Sequence, residues 1–276
     1  MMIGTPELNE DKHELAYIID LVYEKSRVRL HEGKEQLIRA RLGKRIRLYG
    51  FNSLREYIHF LKSTPEELTH VVDSLTTNYT HFLREKDHFE FLASAAANHQ
   101  ANNSKSSFKV WSAACATGEE PYSMSFYLSD NSLASRVSNW SILATDISTK
   151  ALETARRGIY PSDKIGMVPQ EWLPKFFQKG SRDWEGWFRV KESIRQRIQF
   201  KQLNLLGFYP FSDLFEVIFC RNVMIYFDRE TQKQLIDKLA ATLSPGGLLF
   251  IGHSESLNGI QGPLNCVSPS IYQRPS

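Results

Sequence analysis

The sequence predicts an all-helical segment over residues 1–76 followed by an α/β domain over 77–276. Three observations carry that reading. Apolar residues recur at helical spacing through the first part. The stretch VWSAACATGEEPYSM over 110–124 reads as a strand, a tight turn and a helix start. Four later apolar runs also end in polar residues, and five such strands describe an open α/β sheet whose ligand crevice lies at the strand C-termini.

The helical part divides into 14–25, 34–49, 53–62 and 64–75, the last opened by Pro65-Glu66-Glu67. Between Glu24 and Gly50 nine Lys or Arg stand against three Glu. Ile38, Leu42, Ile46 and Tyr49 form an inward stripe, with Lys34, Arg41 and Arg45 beside it and Lys44 nearby. Such charges fit a solvated helix face or the surface for an acidic partner helix. Nucleic acid is disfavoured, since no aromatics interleave with them. Residues 76–84 form a connection, 86–97 a helix with Phe89, Leu92 and Ala96 on one side, and the Asn- and Ser-rich 98–107 a loop.

At the first βα turn, Gly118 suits a close backbone approach and Pro121 a first helical turn, while Glu119 and Glu120 put negative charge where a pyrophosphate would otherwise sit. The ligand should therefore present a cationic or hydroxyl-rich face, which S-adenosylmethionine does. The run 140–144 leads to Asp146, a ribose binder or the N-cap of a helix over 148–157. The run 198–203 ends at Asn204, whose amide can donate and accept toward a purine edge. FEVIFC over 215–220 reads as a strand covered on both faces and delivers Arg221-Asn222. LSPGGLLFI over 243–251 is a turn feeding a buried strand. Over 176–200, glycines at 180 and 186 and the alternation around Phe188 and Val190 suggest a small antiparallel β insertion, either a decorative hairpin or a peptide-binding edge.

Taken together, LTTNYTHFLRE (75–85), WSAACATGEEPYS (111–123), ATDIS (144–148), NLL (204–206), CRNVMIYFD (220–228) and SPGGLLFIGHSES (244–256) resemble the CheR-type chemotaxis receptor methyltransferases, over roughly residues 12–272. The resemblance implies a Rossmann-like S-adenosylmethionine-dependent methyltransferase domain with a small antiparallel β-subdomain, preceded by an all-α domain that faces the receptor's methylation helices. It implies cofactor contacts at Asn78, Thr80, Arg84, Glu119, Asp146, Arg221 and Asn222, with Asn204 and Leu205 at the adenine. Arg84 and Tyr226 are implied near the methyl donor. Lys34, Arg41, Lys44 and Arg45 are the residues expected to meet the partner. In some members the β-subdomain captures a peptide at the receptor's C-terminus. Those carry a Gly-x-Gly turn where this chain has Gly180-Ser181-Arg182.

The implied reaction is glutamate O-methylation, yielding S-adenosylhomocysteine. A sulfonium methyl is already electrophilic and a glutamate, with a reference pKa of about 4.3, is already ionised, so no general base is required. His253 is accordingly read as structural. The fourth strand ends Arg221-Asn222-Val223, without the Asn-Pro-Pro-Tyr type of tetrad that holds an amine or amide nitrogen, and this favours an oxygen nucleophile. A cofactor-binding signalling module with little turnover and a small-molecule O-methyltransferase remain as alternatives. With 42% apolar and 24% charged residues and a net charge of +3, composition is that of a globular chain and not of a nucleic-acid binder. No apolar run reaches the ~20 residues of a membrane span. The N-terminus has no signal pattern, which places the chain in the cytosol. Cys115, Cys220 and Cys266 have no zinc-ligand spacing, so no metal is expected and the thiols should be reduced.

Overall fold

The computed structural model describes the backbone of residues 6–30, 33, 35–76, 78–102, 106–130 and 139–276, and side chains from His13 onward. Two compact units emerge, Met1–Thr77 with Tyr226–Asp228, and Asn78–Ile225 with Arg229–Ser276.

The first unit contains α1 (Pro6–Ser26), α2 (Glu35–Leu48), α3 (Leu54–Ser63) and α4 (Glu67–Leu75). Its core is built from one stripe per helix: Leu15, Ile18 and Val22; Ile38 and Leu42; Leu54, Tyr57, Ile58 and Leu61; and Val71, Val72 and Leu75. Helix α3 starts where Ser53 accepts from the Glu56 amide at 3.2 Å while Glu56 accepts from the Asn52 amide at 2.9 Å, a reciprocal cap.

The charges of α2 turn partly inward. Glu67, at the start of α4, is buried and accepts from Arg45 at 2.8 and 2.5 Å, from Tyr49 at 2.9 Å and from Tyr57 at 2.5 Å. Arg41 donates to the carbonyls of Leu75 and Thr76 at 3.0 and 3.3 Å, capping the C-terminus of α4. Two of the four basic residues expected to meet a partner thus hold their own domain together. Lys44 is exposed. Lys34 lies outside the described residues.

The second unit runs, in chain order, α5 (Lys86–Asn102), β1 (Phe108–Ala113), α6 (Glu119–Ser129), β2 (Trp140–Asp146), α7 (Thr149–Arg157), β3 (Ile159–Pro161), α8 (Leu173–Phe176), β4 (Phe177–Lys179), β5 (Trp187–Val190), α9 (Glu192–Arg195), β6 (Ile198–Gln202), β7 (Phe215–Cys220), α10 (Arg229–Thr242), β8 (Leu243–Phe250), β9 (Asn265–Ser268) and β10 (Ile271–Gln273). The main sheet has the order β6-β2-β1-β7-β8-β10-β9, and a small sheet the order β3-β5-β4. The pairings β6-β2, β2-β1, β1-β7 and β7-β8 are parallel, whereas β10 runs antiparallel to both β8 and β9. Because β1 is flanked by β2 on one side and β7 on the other, the strand order reverses there, and the crevice opens at the ends of these two strands.

Three expectations are corrected. Helix α5 continues to Asn102 through what reads as a loop, because Ala95-Ala96-Ala97 are strong helix formers and His99 packs its ring 5.3 Å from Phe108. The main sheet carries the additional hairpin β9-β10. The small antiparallel sheet begins at Ile159, ahead of the expected 176–200, while residues 198–200 belong to the main sheet as the start of β6. In its turn Arg182 takes φ 56°, a left-handed backbone that favours glycine.

Candidate active site

The turn after β1 is bent by left-handed residues at Ala114 (φ 69°), Ala116 (φ 46°) and Gly118 (φ 97°). Non-glycine residues there cost on the order of 1–2 kcal/mol each, so the surroundings must hold them. They do: the Cys115 amide donates to the Thr145 carbonyl at 2.9 Å, and the Ala116 amide to Asp146 Oδ2 at 2.8 Å. At Gly118 a Cβ would come within 2.8 Å of the Ala155 Cβ and 2.9 Å of the Tyr160 hydroxyl. The backbone can therefore approach α7 only as glycine.

Asp146 is buried at the end of β2, and its Oδ1 accepts from the Ser148 amide at 2.8 Å. The N-cap of α7 is Ser148, which accepts from the Ala151 amide. These two amides fix the carboxylate between the turn after β1 and the start of α7. The Leu203 amide donates to the Asp146 carbonyl at 2.9 Å, bringing the end of β6 alongside. Asn204 follows at once, its Oδ1 accepting from the Leu206 amide at 3.0 Å, and Leu205 is buried.

The two acids that open α6 divide in role. Glu120 accepts from Ser112 Oγ at 2.7 Å and from Arg221 Nη1 at 3.1 Å. Glu119 accepts from Thr117 Oγ1 at 2.6 Å, and its Oε1 stands 3.5 Å from Lys164 Nζ. Burial pushes the Glu119 carboxyl above the usual range, with Thr117, its own backbone amide and Lys164 only partly opposing it.

The segment Asn78–Glu85 crosses the front of this turn. Asn78 Nδ2 donates to Ser148 Oγ at 3.4 Å, Thr80 is buried, and the Thr80 carbonyl accepts from Lys164 Nζ at 3.3 Å. The buried His81 Nδ1 has no hydrogen-bond partner among the described residues. Arg84 donates to the Tyr79 carbonyl at 3.2 Å and keeps 29% of its side chain exposed, enough to receive a ligand.

Arg221 does not retain a side chain for that purpose. Its guanidinium, 1% exposed, donates to Glu85 Oε2 at 3.2 and 2.8 Å, to Glu120 and to the Arg84 carbonyl at 2.5 Å. It staples the end of β7 to the crossing segment. Burial would raise the Glu85 carboxyl, but the Arg221 charge and hydrogen bonds outweigh it and hold Glu85 below the usual range. Asn222 takes φ 57°, and its amide donates to Glu255 Oε2 at 2.8 Å. Glu255 also accepts from the amides of Met224 and Gly252 at 2.8 and 2.7 Å. Glu85 and Glu255 build the site without being singled out by the motifs that contain them, whereas Glu120, expected to face the ligand, is turned to Ser112 and Arg221. Lys164 lies in none of the motifs.

Tyr226, at the end of the turn Met224–Tyr226, sorts with the helical unit, where its carbonyl accepts from the Arg29 amide at 2.9 Å. His253 Nε2 is 3.1 Å from Asp87 Oδ2, both side chains being exposed, and its ring meets His88 edge-on. Glu85, His88 and His253 offer ligand atoms within 4.8 Å of one another. The Arg221 guanidinium already occupies the Glu85 oxygen that faces His88. All three cysteines are free thiols, with Cys115 and Cys220 buried.

Comparison with known proteins follows the same division. A family described as "CheR methyltransferase, all-alpha domain" matches residues 13–76, and "CheR methyltransferase, SAM binding domain" matches 78–272. The chain is 39% identical to a chemotaxis protein methyltransferase of Borreliella burgdorferi, covering 97% of this chain and 96% of that protein. It is 36% identical to chemotaxis protein methyltransferase 2 of Pseudomonas aeruginosa, covering 98% and 96%. Against the chemotaxis protein methyltransferase of Escherichia coli it is 36% identical, covering 92% and 88%.

Proposed function

The chain belongs to the CheR methyltransferase family and binds S-adenosylmethionine, and from that premise we propose that it methylates glutamate side-chain carboxylates of a methyl-accepting chemotaxis receptor, giving methyl esters and S-adenosylhomocysteine. The surface we assign on the receptor is its cytoplasmic helices, and the reaction is placed in the cytoplasm. The observation that carries the reading is the convergence of Glu119, Asp146 and Asn204 at the strand ends beside the sheet's reversal point, in a chain that matches both family domains in order.

The residues present fit the cofactor. Glu119 is a buried acid with incomplete compensation, suited to an ammonium; Asp146 is a buried carboxylate fixed at the end of β2, suited to a ribose diol; and His81 Nδ1, unpartnered among the described residues, is a polar atom suited to a ligand hydrogen bond. Asn204 and Leu205 would hold the adenine, and Asn78, Thr80 and Arg84 the methionine end. Arg221 contributes by fixing the segment that carries Arg84, and Asn222 by its left-handed turn at the end of β7.

When bound, S-adenosylmethionine supplies a methyl group on a sulfonium. The protein's share is then placement. Arg84 orients the incoming carboxylate through paired N–H donors, and the Tyr226 hydroxyl donates to one of its oxygens. Alignment of this kind supplies up to roughly 7–11 kcal/mol in favourable systems. No proton has to leave the nucleophile, so His253 with its Asp87 partner stands outside the reaction.

Among the described residues of α2, partner contact falls on the exposed Lys44 and Arg47, since Arg41 and Arg45 are committed within the domain, and Lys34 keeps its assignment. The strands β3 and β4 are the edges of the small sheet, and we assign to this edge any receptor peptide added as a strand.

Incubation with methyl-labelled cofactor and receptor-containing membranes tests the substrate. An ester releases its label as methanol in mild alkali. Alkali-stable label on the receptor, or label on small molecules alone, would overturn the assignment.

A further inference from the structure

Glu119, Asp146 and Asn204 stand at the ends of β1, β2 and β6, which make up one half of the main sheet. The parallel strands β7 and β8 end on the same edge of the other half. There a cavity of about 330 Å³ opens among the residues that follow them, near the lower bound of the ~300–1,000 Å³ of small-ligand sites. Met224 and Ile225 line it after β7, Arg229 and Gln232 in the first turn of α10, and Ser254 and Ser256 after β8. Ile225 directly precedes Tyr226, the residue placed at the acceptor carboxylate.

This lining is rich in donors and poor in free acceptors. Its acid, Glu255, is buried and turned to the backbone, accepting from the amides of Asn222, Met224 and Gly252 at 2.8, 2.8 and 2.7 Å. Arg229 is exposed, and among the described residues its guanidinium makes no ion pair. Its hydrogen bond to Gln232 Oε1 is 3.5 Å long, beyond the roughly 2.7–3.2 Å of a good N–H···O bond. The acids beside it in the chain are engaged elsewhere: Asp228 accepts from Tyr23 at 2.7 Å and stands 3.2 Å from Arg29, and Glu230 accepts from Gln234 at 3.2 Å. Ser256 Oγ accepts from the Asn258 amide at 3.1 Å, which leaves its own proton to donate, and the Ser254 hydroxyl has no partner among the described residues. Ile225, 46% exposed, adds an apolar rim beside these donors.

A guanidinium and two hydroxyls beside an apolar rim are the complement of a carboxylate on a short aliphatic stem, which is an acidic side chain. The acceptor carboxylate has to reach the methyl donor on the cofactor's half of the sheet, so a cavity on the other half is placed for a neighbour of the acceptor on the same segment. We infer, on the receptor-glutamate reading above, that Arg229 is a specificity-determining residue: with the Ser254 and Ser256 hydroxyls it receives a second carboxylate of the substrate helix, about one turn from the acceptor. Acceptor glutamates with an acidic neighbour on that face are then methylated in preference to isolated ones.

The test compares the full chain with its Arg229→Gln and Arg229→Glu variants on receptor-containing membranes, with S-adenosylhomocysteine affinity measured alongside by calorimetry. Arg229 is exposed and unpaired among the described residues, so both variants should fold. Arg229→Gln should raise the KM for receptor about three- to tenfold, between the worth of a rim charge pair and that of a desolvated one, at nearly unchanged kcat and with S-adenosylhomocysteine affinity within about twofold. Acidic receptor residues roughly three or four positions from an acceptor glutamate are then neutralised one at a time. One of them should raise the KM of the wild-type enzyme but not that of Arg229→Gln, and its change to lysine should restore the Arg229→Glu enzyme. An unchanged KM in Arg229→Gln, weakened S-adenosylhomocysteine, or enzyme and receptor changes that simply add would each overturn the inference. The receptor-glutamate reading fails by a different sign, the absence of alkali-labile label from receptor treated with the wild-type chain, and takes the assignment of Arg229 with it.

Discussion

Each unit of this chain contains a buried glutamate at the start of a helix with a basic residue nearby, and the two have opposite properties. Glu67 in the helical unit and Glu119 in the α/β unit are 2% and 0% exposed. Glu67 receives four hydrogen bonds, two from Arg45 and one each from Tyr49 and Tyr57. Burial is the largest single influence on it and acts upward, yet these donors together hold the carboxyl below the usual range. Glu119 has a short bond from Thr117, one from its own backbone amide and a distant lysine, and there burial wins. Donor saturation, not burial, separates these two carboxylates.

The comparison breaks most visibly under mutation. Arg45→Ala leaves Glu67 buried without its charge partner and should destabilise the protein by about 3–5 kcal/mol, read as a shift in the denaturant midpoint. Glu119→Gln removes a charge that burial already penalises. Its stability should stay within about 1 kcal/mol of wild type, while S-adenosylhomocysteine binding weakens by about 1.5–3 kcal/mol. If Arg45→Ala were silent and Glu119→Gln unfolded the protein, the two roles would be reversed.

Acid sharpens the same contrast, with opposite signs. Glu67 titrates lower in the folded chain than unfolded, so its stabilisation is complete above the unfolded value of about 4.3 and is lost as pH falls through the folded value. Glu119 titrates higher when folded, so acidification through that raised value relieves its burial and helps the fold. The same protonation removes the charge that we assign to an ammonium. Cofactor-product affinity should therefore decline on acidification from neutrality before the helical unit weakens, and Glu119→Gln should flatten that early decline. Calorimetry and unfolding curves over the same buffers check the order of events.

Much of the α/β unit was legible because its strands are locally encoded. FEVIFC is apolar on both faces and buries as such, and the turn after β1 is announced by Gly118 and its two acids. The hairpin β9-β10 was not legible, for strands of four and three residues owe their existence to the antiparallel edge of β8 and not to their own pattern. Charges misled for the same reason. Arg45 looks like a surface residue from its helix alone, since its partner lies 22 positions on; Arg221 sits in a cofactor motif, yet its guanidinium answers Glu85 across 136 positions. Periodicity carries local geometry, whereas ion pairs of that separation exist only once the chain is folded. Asp146 shows the intermediate case. Its motif located it, but only the fold distinguishes it from the true cap, Ser148.

In the proposed mechanism an already ionised carboxylate is methylated by placement alone. Single-turnover methylation of receptor with saturating cofactor, from about pH 6.5 to 8.5, tests it most directly, because a histidine base would titrate within that window. The chemical step should show no dependence on a group titrating near neutrality, with most of its rate kept in His253→Ala and a reduced rate at nearly unchanged cofactor affinity in Tyr226→Phe. A rate that climbs through neutral pH and vanishes in a folded, cofactor-bound His253→Ala protein would contradict it and point to an acceptor that must first lose a proton.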